Sequence, residues 1–379
     1  MHVRTAAPKR RRVHTAATAN GPVRAVLLIM GMLAALLAAA LPTAGAAQAA
    51  VPDRWGFAYL DNPTPPSGYV PDPTRQWGSW TSPSANPVKV DQLGLGSYVA
   101  HFPLIGGAGG IAHATAVNST AHWCQIAYWK QVGSGEDVFV NCYLPSGAPD
   151  NSTFTVLYTS SSGTPATPTG SYGYIYSDSG GTVLTQYNST TAVNSVSKGS
   201  TGIWKAWLPG LGLSGYAGDF QVTAVDPQQG AHCKVSDWAP GATGQTAVVA
   251  CYDASDAPYD TQWTLSYSYL RAVHGSAFPP KSFGYLWYNG SLPALTNYNS
   301  SGATNTLGGS GAPFVVTLPS VAVPSDTAHA TAYGSGPGYC GLYAPWVRSG
   351  GTVQLPVNCF GPGGTPVKAP FFAAYTSAF

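Results

Sequence analysis

Three segments of the chain repeat one spacing of cysteine and aromatic residues. Each segment has two cysteines, a tryptophan thirteen residues before the second cysteine and an aromatic residue twelve residues after it. The landmarks are Cys124, Trp129, Cys142 and Phe154 in repeat 1, Cys233, Trp238, Cys251 and Trp263 in repeat 2, and Cys340, Trp346, Cys359 and Phe371 in repeat 3. Because the residues between the landmarks differ, this agreement indicates a tandem array of one structural unit.

The six cysteines predict three disulfide bonds and no free thiol. Six cysteines allow fifteen pairings, but the repeat selects one pairing, with separations of 18, 18 and 19 residues. The predicted pairs are Cys124–Cys142, Cys233–Cys251 and Cys340–Cys359. A zinc site is the alternative, but the chain lacks the close cysteine pairs and the recurring histidine that zinc needs. Disulfides are typical of exported proteins.

Residues 1–49 have the features of a secretory signal peptide. Residues 1–24 carry six basic side chains and no acidic one, and Ala25–Leu41 is an apolar run of seventeen residues. Ala47-Gln48-Ala49 then supplies the small residues of a cleavage site. A retained membrane anchor is the alternative, although the run is at the short end for spanning a bilayer. We expect a mature, secreted chain that starts at Ala50 and has no membrane partner.

Removal of the leader changes the sign of the net charge. The chain has 17 basic and 15 acidic side chains, and six of the basic ones lie in the leader, so eleven remain and the net charge becomes −4. This balance argues against a nucleic-acid-binding face and against a polybasic membrane surface. Charged residues are only 8% of the chain, against about 25% in ordinary globular proteins. The mature chain is predicted to be all-β.

Each repeat contains about seven short segments with strand character. Aromatic residues at alternate positions in 55–59, 172–176 and 283–287 place three rings on one face of a strand. This pattern predicts three tandem β-sandwiches with an immunoglobulin-like strand count, and a three-bladed propeller is the alternative. The predicted domains are residues 50–161, 170–272 and 282–379. Each domain is expected to fold by itself.

Repeat 2 carries the clearest motifs of the array. Leu208 begins L-P-G-L-G, Gln221 begins Q-V-T-A-V, Cys233 begins C-K-V, and Ala257 begins A-P-Y-D. With these motifs the repeat resembles a tandem repeat of uncharacterised secreted proteins from actinobacteria. The resemblance covers most of the mature chain, and it implies export and a β-repeat fold. It supplies no catalytic residues.

No catalytic motif meets the demands of its chemistry. His122 and Ser179 lie in segments similar to those around the catalytic histidine and serine of chymotrypsin-like proteases, but they are only 57 residues apart and fall in different repeats. Paired glycosidase carboxyl groups would have to be aspartates, because Glu136 is the single glutamate. No cofactor is predicted.

Two sets of side chains could bind a metal ion by their chemistry. Asp253, Asp256 and Asp260 could form a calcium loop, but the other repeats lack equivalents, so a solvated turn is the favoured interpretation. His113 and His329 occupy equivalent positions, and repeat 2 has Gln221 there. We expect these histidines to be surface residues rather than metal ligands.

Eight of the eleven tryptophans recur as aromatic residues in other repeats and are expected in the core. Trp80 matches Thr190 and Ser301, and Trp207 matches His101 and Thr317. Trp123 aligns with a histidine and a tyrosine. An outward-facing indole often stacks on a sugar or a protein partner, so Trp80 and Trp207 are the candidate binding residues. Packing against a neighbouring domain is the competing explanation.

The sequence therefore predicts a secreted, non-catalytic string of β-domains. Its expected partner is an extracellular polysaccharide or a component of the cell wall, and no nucleic acid. A structural matrix protein without a specific ligand is the first alternative. A secreted serine hydrolase is the second.

Overall fold

The computed structural model describes residues 53–80, 82–161, 170–212, 215–275, 280–291, 296–309 and 311–379. Two 3₁₀ turns, Pro73–Arg75 and Pro362–Gly364, are the helical segments within these ranges. No helix of the described residues has the length and hydropathy to cross a membrane. The predicted signal peptide lies outside them.

Strands make up the rest of the regular structure, with eight in repeat 1, eight in repeat 2 and ten in repeat 3. Repeat 1 has β1 (Arg54–Leu60), β2 (Gln76–Gly78), β3 (Lys89–Gly94), β4 (Ser97–Phe102), β5 (Ile111–Val117), β6 (Trp123–Val132), β7 (Gly135–Tyr143) and β8 (Thr153–Ser160). Repeat 2 has β9 (Ser171–Ser177), β10 (Val183–Asn188), β11 (Ser195–Lys198), β12 (Ile203–Pro209), β13 (Asp219–Val225), β14 (Ala231–Gly241), β15 (Gly244–Asp253) and β16 (Gln262–Tyr269). Repeat 3 has β17 (Phe283–Tyr288), β18 (Thr296–Asn299), β19 (Thr306–Gly308), β20 (Phe314–Leu318), β21 (Asp326–Ala332), β22 (Tyr339–Leu342), β23 (Val347–Ser349), β24 (Thr352–Phe360), β25 (Pro366–Val367) and β26 (Phe371–Ser377).

Each repeat contains two antiparallel arrays of four strands, and in repeat 3 the short strands β23 and β25 also pair with β24. In repeat 1 the strand orders are β2-β1-β8-β5 and β3-β4-β7-β6, and repeats 2 and 3 use the same two orders. The predicted all-β fold, with one disulfide in each of three regions, is confirmed. The repeating strand count is eight rather than seven. The additional strands β3, β11 and β19 are short, mostly exposed edge strands that lack a continuous apolar face.

The disulfides join neighbouring strands at directly opposed positions. Cys124 faces Cys142 between β6 and β7, and the same register recurs between β14 and β15 and between β22 and β24. The second cysteine of each pair is buried, as the alternation of its strand predicts. Each bridge therefore fixes a strand pair at the border of a core.

The three repeats close into a ring. One sheet of each repeat continues into a sheet of the next repeat through a short parallel pairing. The paired positions are Ile126 with Val225, Val235 with Tyr333, and Leu342 with Val117. Each junction has one equivalent backbone hydrogen bond at 2.8–3.0 Å, donated by the amide of the residue that follows the paired position. The bonds join Asn118 N to Leu342 O, Asp226 N to Ile126 O and Gly334 N to Val235 O. The last repeat thus bonds to the first, and the ring has approximate threefold symmetry.

The inner strands β5, β13 and β21 surround the axis of this ring, and every residue in them is buried. Their polar side chains bond from one repeat to the next. His113 Nδ1 lies 3.1 Å from Thr223 Oγ1. Thr331 Oγ1 donates to Gln221 Oε1 at 2.9 Å. The third link joins His329 Nδ1 to the hydroxyl of Thr115 at 3.4 Å.

The prediction that His113 and His329 lie on the surface is wrong. The two side chains are 1% and 0% exposed. Burial lowers the pKa of each imidazole to about 3, so both rings are neutral at physiological pH. A neutral ring can supply one donor and one acceptor, which suits the polar links between the inner strands.

The hydrophobic cores also cross the repeat boundaries. Trp287 and Phe372 of repeat 3 pack in the core of repeat 2, and Val225 of repeat 2 packs in the core of repeat 1. In the segment after β16, His274 is buried and stacks on Trp55 of repeat 1 at 4.0 Å. Ala50–Phe379 form one compact unit. The predicted boundaries between the repeats stay predictions, but shared packing argues against independent folding.

Candidate binding face

The outward face of the second sheet of repeat 2 carries one of the two predicted binding residues. Side chains of β12 alternate between the core and the solvent. Trp204, Ala206 and Leu208 are buried, whereas Lys205 is exposed and Trp207 is half-buried. Trp207 therefore lies on the outward side of β12, and its binding role stays a prediction.

Hydroxyl groups on the neighbouring strands flank the Trp207 indole. Ser195 of β11 and Thr246 of β15 lie directly opposite Trp207 in the two antiparallel pairings. The edge of the indole lies close to Gly244, where a Cβ atom would be 3.0 Å from Trp207 Cη2. The surrounding shallow depression is lined by Ser195, Val196, Ser197, Lys205, Trp207 and Thr246. It combines an aromatic surface with hydroxyl groups and one cation.

The position of Trp207 has different chemistry in each repeat. His101 occupies it in repeat 1, with Nδ1 2.7 Å from Asp137 Oδ1 and Nε2 3.2 Å from Asp91 Oδ2. Thr317 occupies it in repeat 3, paired across β20 and β24. Within the described residues, the outward aromatic ring at this position is therefore specific to repeat 2.

The predicted outward orientation of Trp80 is wrong. Trp80 is 6% exposed and packs in the core of repeat 1, where its Nε1 donates a 3.0 Å hydrogen bond to Asn86 O. Gly56 and Gly78 face each other in β1 and β2, and a Cβ atom on Gly78 would lie 1.6 Å from the indole. The indole fills the space that two absent side chains leave, so Trp80 offers no ring face to a ligand.

His122 bonds within its own repeat. Its Nδ1 lies 3.1 Å from Thr120 Oγ1, and its Nε2 lies 2.8 Å from Asp150 Oδ2. Ser179 is an exposed residue of the turn after β9. Because residues of repeat 1 engage both ring nitrogens, the histidine does not activate Ser179 in this arrangement.

The three aspartates of the candidate calcium loop face separate partners. Asp253 Oδ1 accepts hydrogen bonds from the backbone of its own turn, and Asp260 forms an ion pair with Lys198. Asp256 Oδ2 accepts a 3.0 Å hydrogen bond from Gly363 N in repeat 3. Nowhere in the described ranges do three or more His, Cys, Asp or Glu side chains form a group that could hold a metal ion.

A cluster on the ring axis was not predicted from the sequence. Trp123, His232 and Tyr339 form the axial triad, in which every pair of rings has centroids 5.2–5.3 Å apart. Each of these residues immediately precedes the first cysteine of its repeat. Their alignment in the sequence is the available signal, but the alignment does not show that the three positions meet on one axis.

Comparisons with known proteins return no relative. No protein-family model, curated protein or solved structure matches the chain. The three disulfides are typical of an oxidising, extracellular environment.

Proposed function

We propose that the protein is exported and that the outward face of repeat 2 binds an extracellular polysaccharide or a cell-wall glycan without turnover. The observation that carries this proposal is the half-buried Trp207 indole, set among hydroxyl groups in a shallow depression. A sugar ring has an apolar C–H face and polar edges. The apolar face stacks on an indole, while the edges accept and donate hydrogen bonds.

The side chains that line the depression around Trp207 favour binding over catalysis. The lining side chains are a lysine, serines, a threonine and a valine, with no carboxylate among them. Hydrolysis of a glycosidic bond by the common mechanisms needs two carboxyl groups on opposite sides of that bond. Lys205 adds a cation, so a glycan that carries carboxylate or phosphate groups is the favoured ligand.

Rigidity of the sheet supports the same proposal. β12 pairs along its whole length with β15, and the Cys233–Cys251 bridge joins β15 to β14. A ring presented on paired strands loses little conformational freedom when it binds. The composition of residues 1–49 and the disulfides support export.

Retention on insoluble polymers tests the proposal. We expect residues 50–379 to be retained on at least one column from a panel of insoluble polysaccharides and purified cell walls. Trp207→Thr places the side chain of Thr317 at the equivalent position, so it should remove retention while it preserves the fold. Lys205→Gln should weaken retention on anionic polymers alone.

Two outcomes would contradict the proposal. One is retention of Trp207→Thr equal to that of the unaltered protein. The other is absence of retention on every polymer, and self-association without a ligand would then favour the structural alternative.

A further inference from the structure

A small cavity lies on the ring axis, under the axial triad. Its volume is about 30 Å³, and its wall includes the axial triad and the inner-strand threonines Thr115, Thr223 and Thr331. All three repeats thus contribute the same positions to one cavity. A cavity needs about 10–15 Å³ to hold a water molecule, together with two to four polar partners. The volume exceeds that threshold.

The axial triad supplies three polar atoms that have no partner among the described residues. They are Trp123 Nε1, His232 Nδ1 and Tyr339 Oη, and all three are buried. A buried polar atom without a hydrogen bond costs about 1–3 kcal/mol. Three such atoms beside one cavity indicate a ligand that can both donate and accept.

The tautomer of His232 defines which kind of ligand fits. His232 Nε2 lies 2.6 Å from Pro337 O, and a carbonyl only accepts, so Nε2 carries the proton. Burial lowers the pKa of the imidazole to about 4, so Nδ1 is an unprotonated acceptor at neutral pH. Trp123 Nε1 only donates, and the Tyr339 hydroxyl does either. The triad therefore offers a donor, an acceptor and a group of both kinds.

The lining also identifies the charge of the ligand. The wall consists of alanine, threonine, valine, disulfide-bonded cysteine and the axial triad, with no carboxylate, lysine or arginine. An ion would lose hydration energy there without a counter-charge. A small neutral molecule with two donors and two acceptors fits the site, and water has that composition.

We propose that the three repeats jointly bind ordered water in this axial cavity. The water accepts a hydrogen bond from Trp123 Nε1, donates one to His232 Nδ1 and bonds to the Tyr339 hydroxyl. One polar atom comes from each repeat. The water therefore connects all three repeats beside the inner-strand threonines and the three disulfides.

Water relaxation measurements on residues 50–379 test this proposal. We expect a nuclear Overhauser contact between a long-lived water and the Trp123 indole proton. The signal of that proton is assigned by its loss in Trp123→Phe. Oxygen-17 relaxation dispersion counts long-lived waters. Tyr339→Phe removes one hydroxyl from the site, and we expect that count to fall by at least one.

Tyr252→Phe is the matched control. Tyr252 stacks on His232 with ring centroids 5.7 Å apart, but it does not line the cavity. Its variant should keep the water count of the unaltered protein. The proposal is overturned if water makes no nuclear Overhauser contact with the Trp123 indole proton. It is also overturned if the number of long-lived waters is unchanged in folded Tyr339→Phe. If Tyr339→Phe does not fold, the indole contact in the unaltered protein decides alone.

Discussion

The inner strands and the outward strands of the repeats have diverged to different degrees. The inner strands read H-A-T-A, Q-V-T-A and H-A-T-A from residues 113, 221 and 329, and all these side chains are buried. The outward position of the second sheet carries His101, Trp207 and Thr317. Side chains that bond between repeats limit substitution, because each change leaves a buried polar group unpaired. Outward positions lack that limit, so differences between repeats accumulate there.

Separation of one repeat from the ring should have the largest effect. In residues 170–272 alone, β13 loses its bonds to Thr331, and the core loses Trp287 and Phe372. We expect this fragment to give an unfolded-like NMR spectrum under oxidising conditions, whereas residues 50–379 unfold cooperatively. A fragment with dispersed amide signals would show instead that each repeat has a hydrophobic core sufficient for its own folding.

Truncation of the buried indole should have the next largest effect. Trp80→Ala should lower the free energy of unfolding by about 3–5 kcal/mol, as is typical of large-to-small core substitutions. Chemical denaturation measures this loss. Polymer retention of the folded fraction should not change, because Trp80 offers no ring face to a ligand. A loss below about 1 kcal/mol would place the ring outside the core.

Replacement of an inner-strand histidine should change the response to acid. Burial lowers the pKa of His329 to about 3 in the folded protein, whereas an unfolded histidine titrates near 6.5. The unfolded chain therefore binds the proton first, and the free energy of unfolding falls by about 1.4 kcal/mol per pH unit as the pH drops from about 6.5 to 3. His329→Gln, which introduces the residue of repeat 2, should remove this component.

Denaturation of both proteins between pH 4 and 7 checks the difference in slope. Burial raises the pKa of Asp219 to about 8 and that of Asp326 to about 6. As the pH drops, these two carboxyl groups raise the free energy of unfolding, because the folded protein binds their protons at a higher pH than the unfolded chain does. They are common to both proteins and cancel in the comparison. Equal slopes would mean that His329 is accessible to solvent.

The smallest effect on stability is expected at the outward position. Trp207→Thr should change the free energy of unfolding by less than about 0.5–1 kcal/mol, because the ring lies outside the core and the substitution introduces a β-favouring residue. Thermal and urea denaturation measure this change. A loss similar to that of Trp80→Ala would assign Trp207 to packing and weaken the case for a binding face.

The sequence predicts the local features of each repeat and misses those between repeats. The recurrence of two cysteines 18 or 19 residues apart in each repeat predicts the disulfide pairing, and the alternation of apolar residues predicts the all-β fold. The strands β3, β11 and β19 were missed because edge strands with exposed side chains lack alternation. Trp80 was misassigned because Gly78 replaces Asn188 and Asn299 of the other repeats, and the lost side chain makes room inside for the indole.

The two inner-strand histidines show why the remainder could not be predicted. His113 and His329 are polar residues in short alternating strands, a pattern that usually marks a solvent-facing side of a sheet. Their burial depends on two further strands from other repeats. No local pattern records a contact between residues more than a hundred positions apart, such as His113 with Thr223.

Ring closure also determines the order in which the chain completes its fold. The junction between repeat 1 and repeat 3 joins residues far apart in the chain. Arg75 Nη2 donates to Trp346 O across 271 positions, and Arg348 Nη2 donates to Thr74 Oγ1 across 274. Contacts of such separation form slowly. Until repeat 3 has been synthesised, β5 has no partner on one side. That unpaired strand leaves the unfinished molecule open to wrong pairing with another chain.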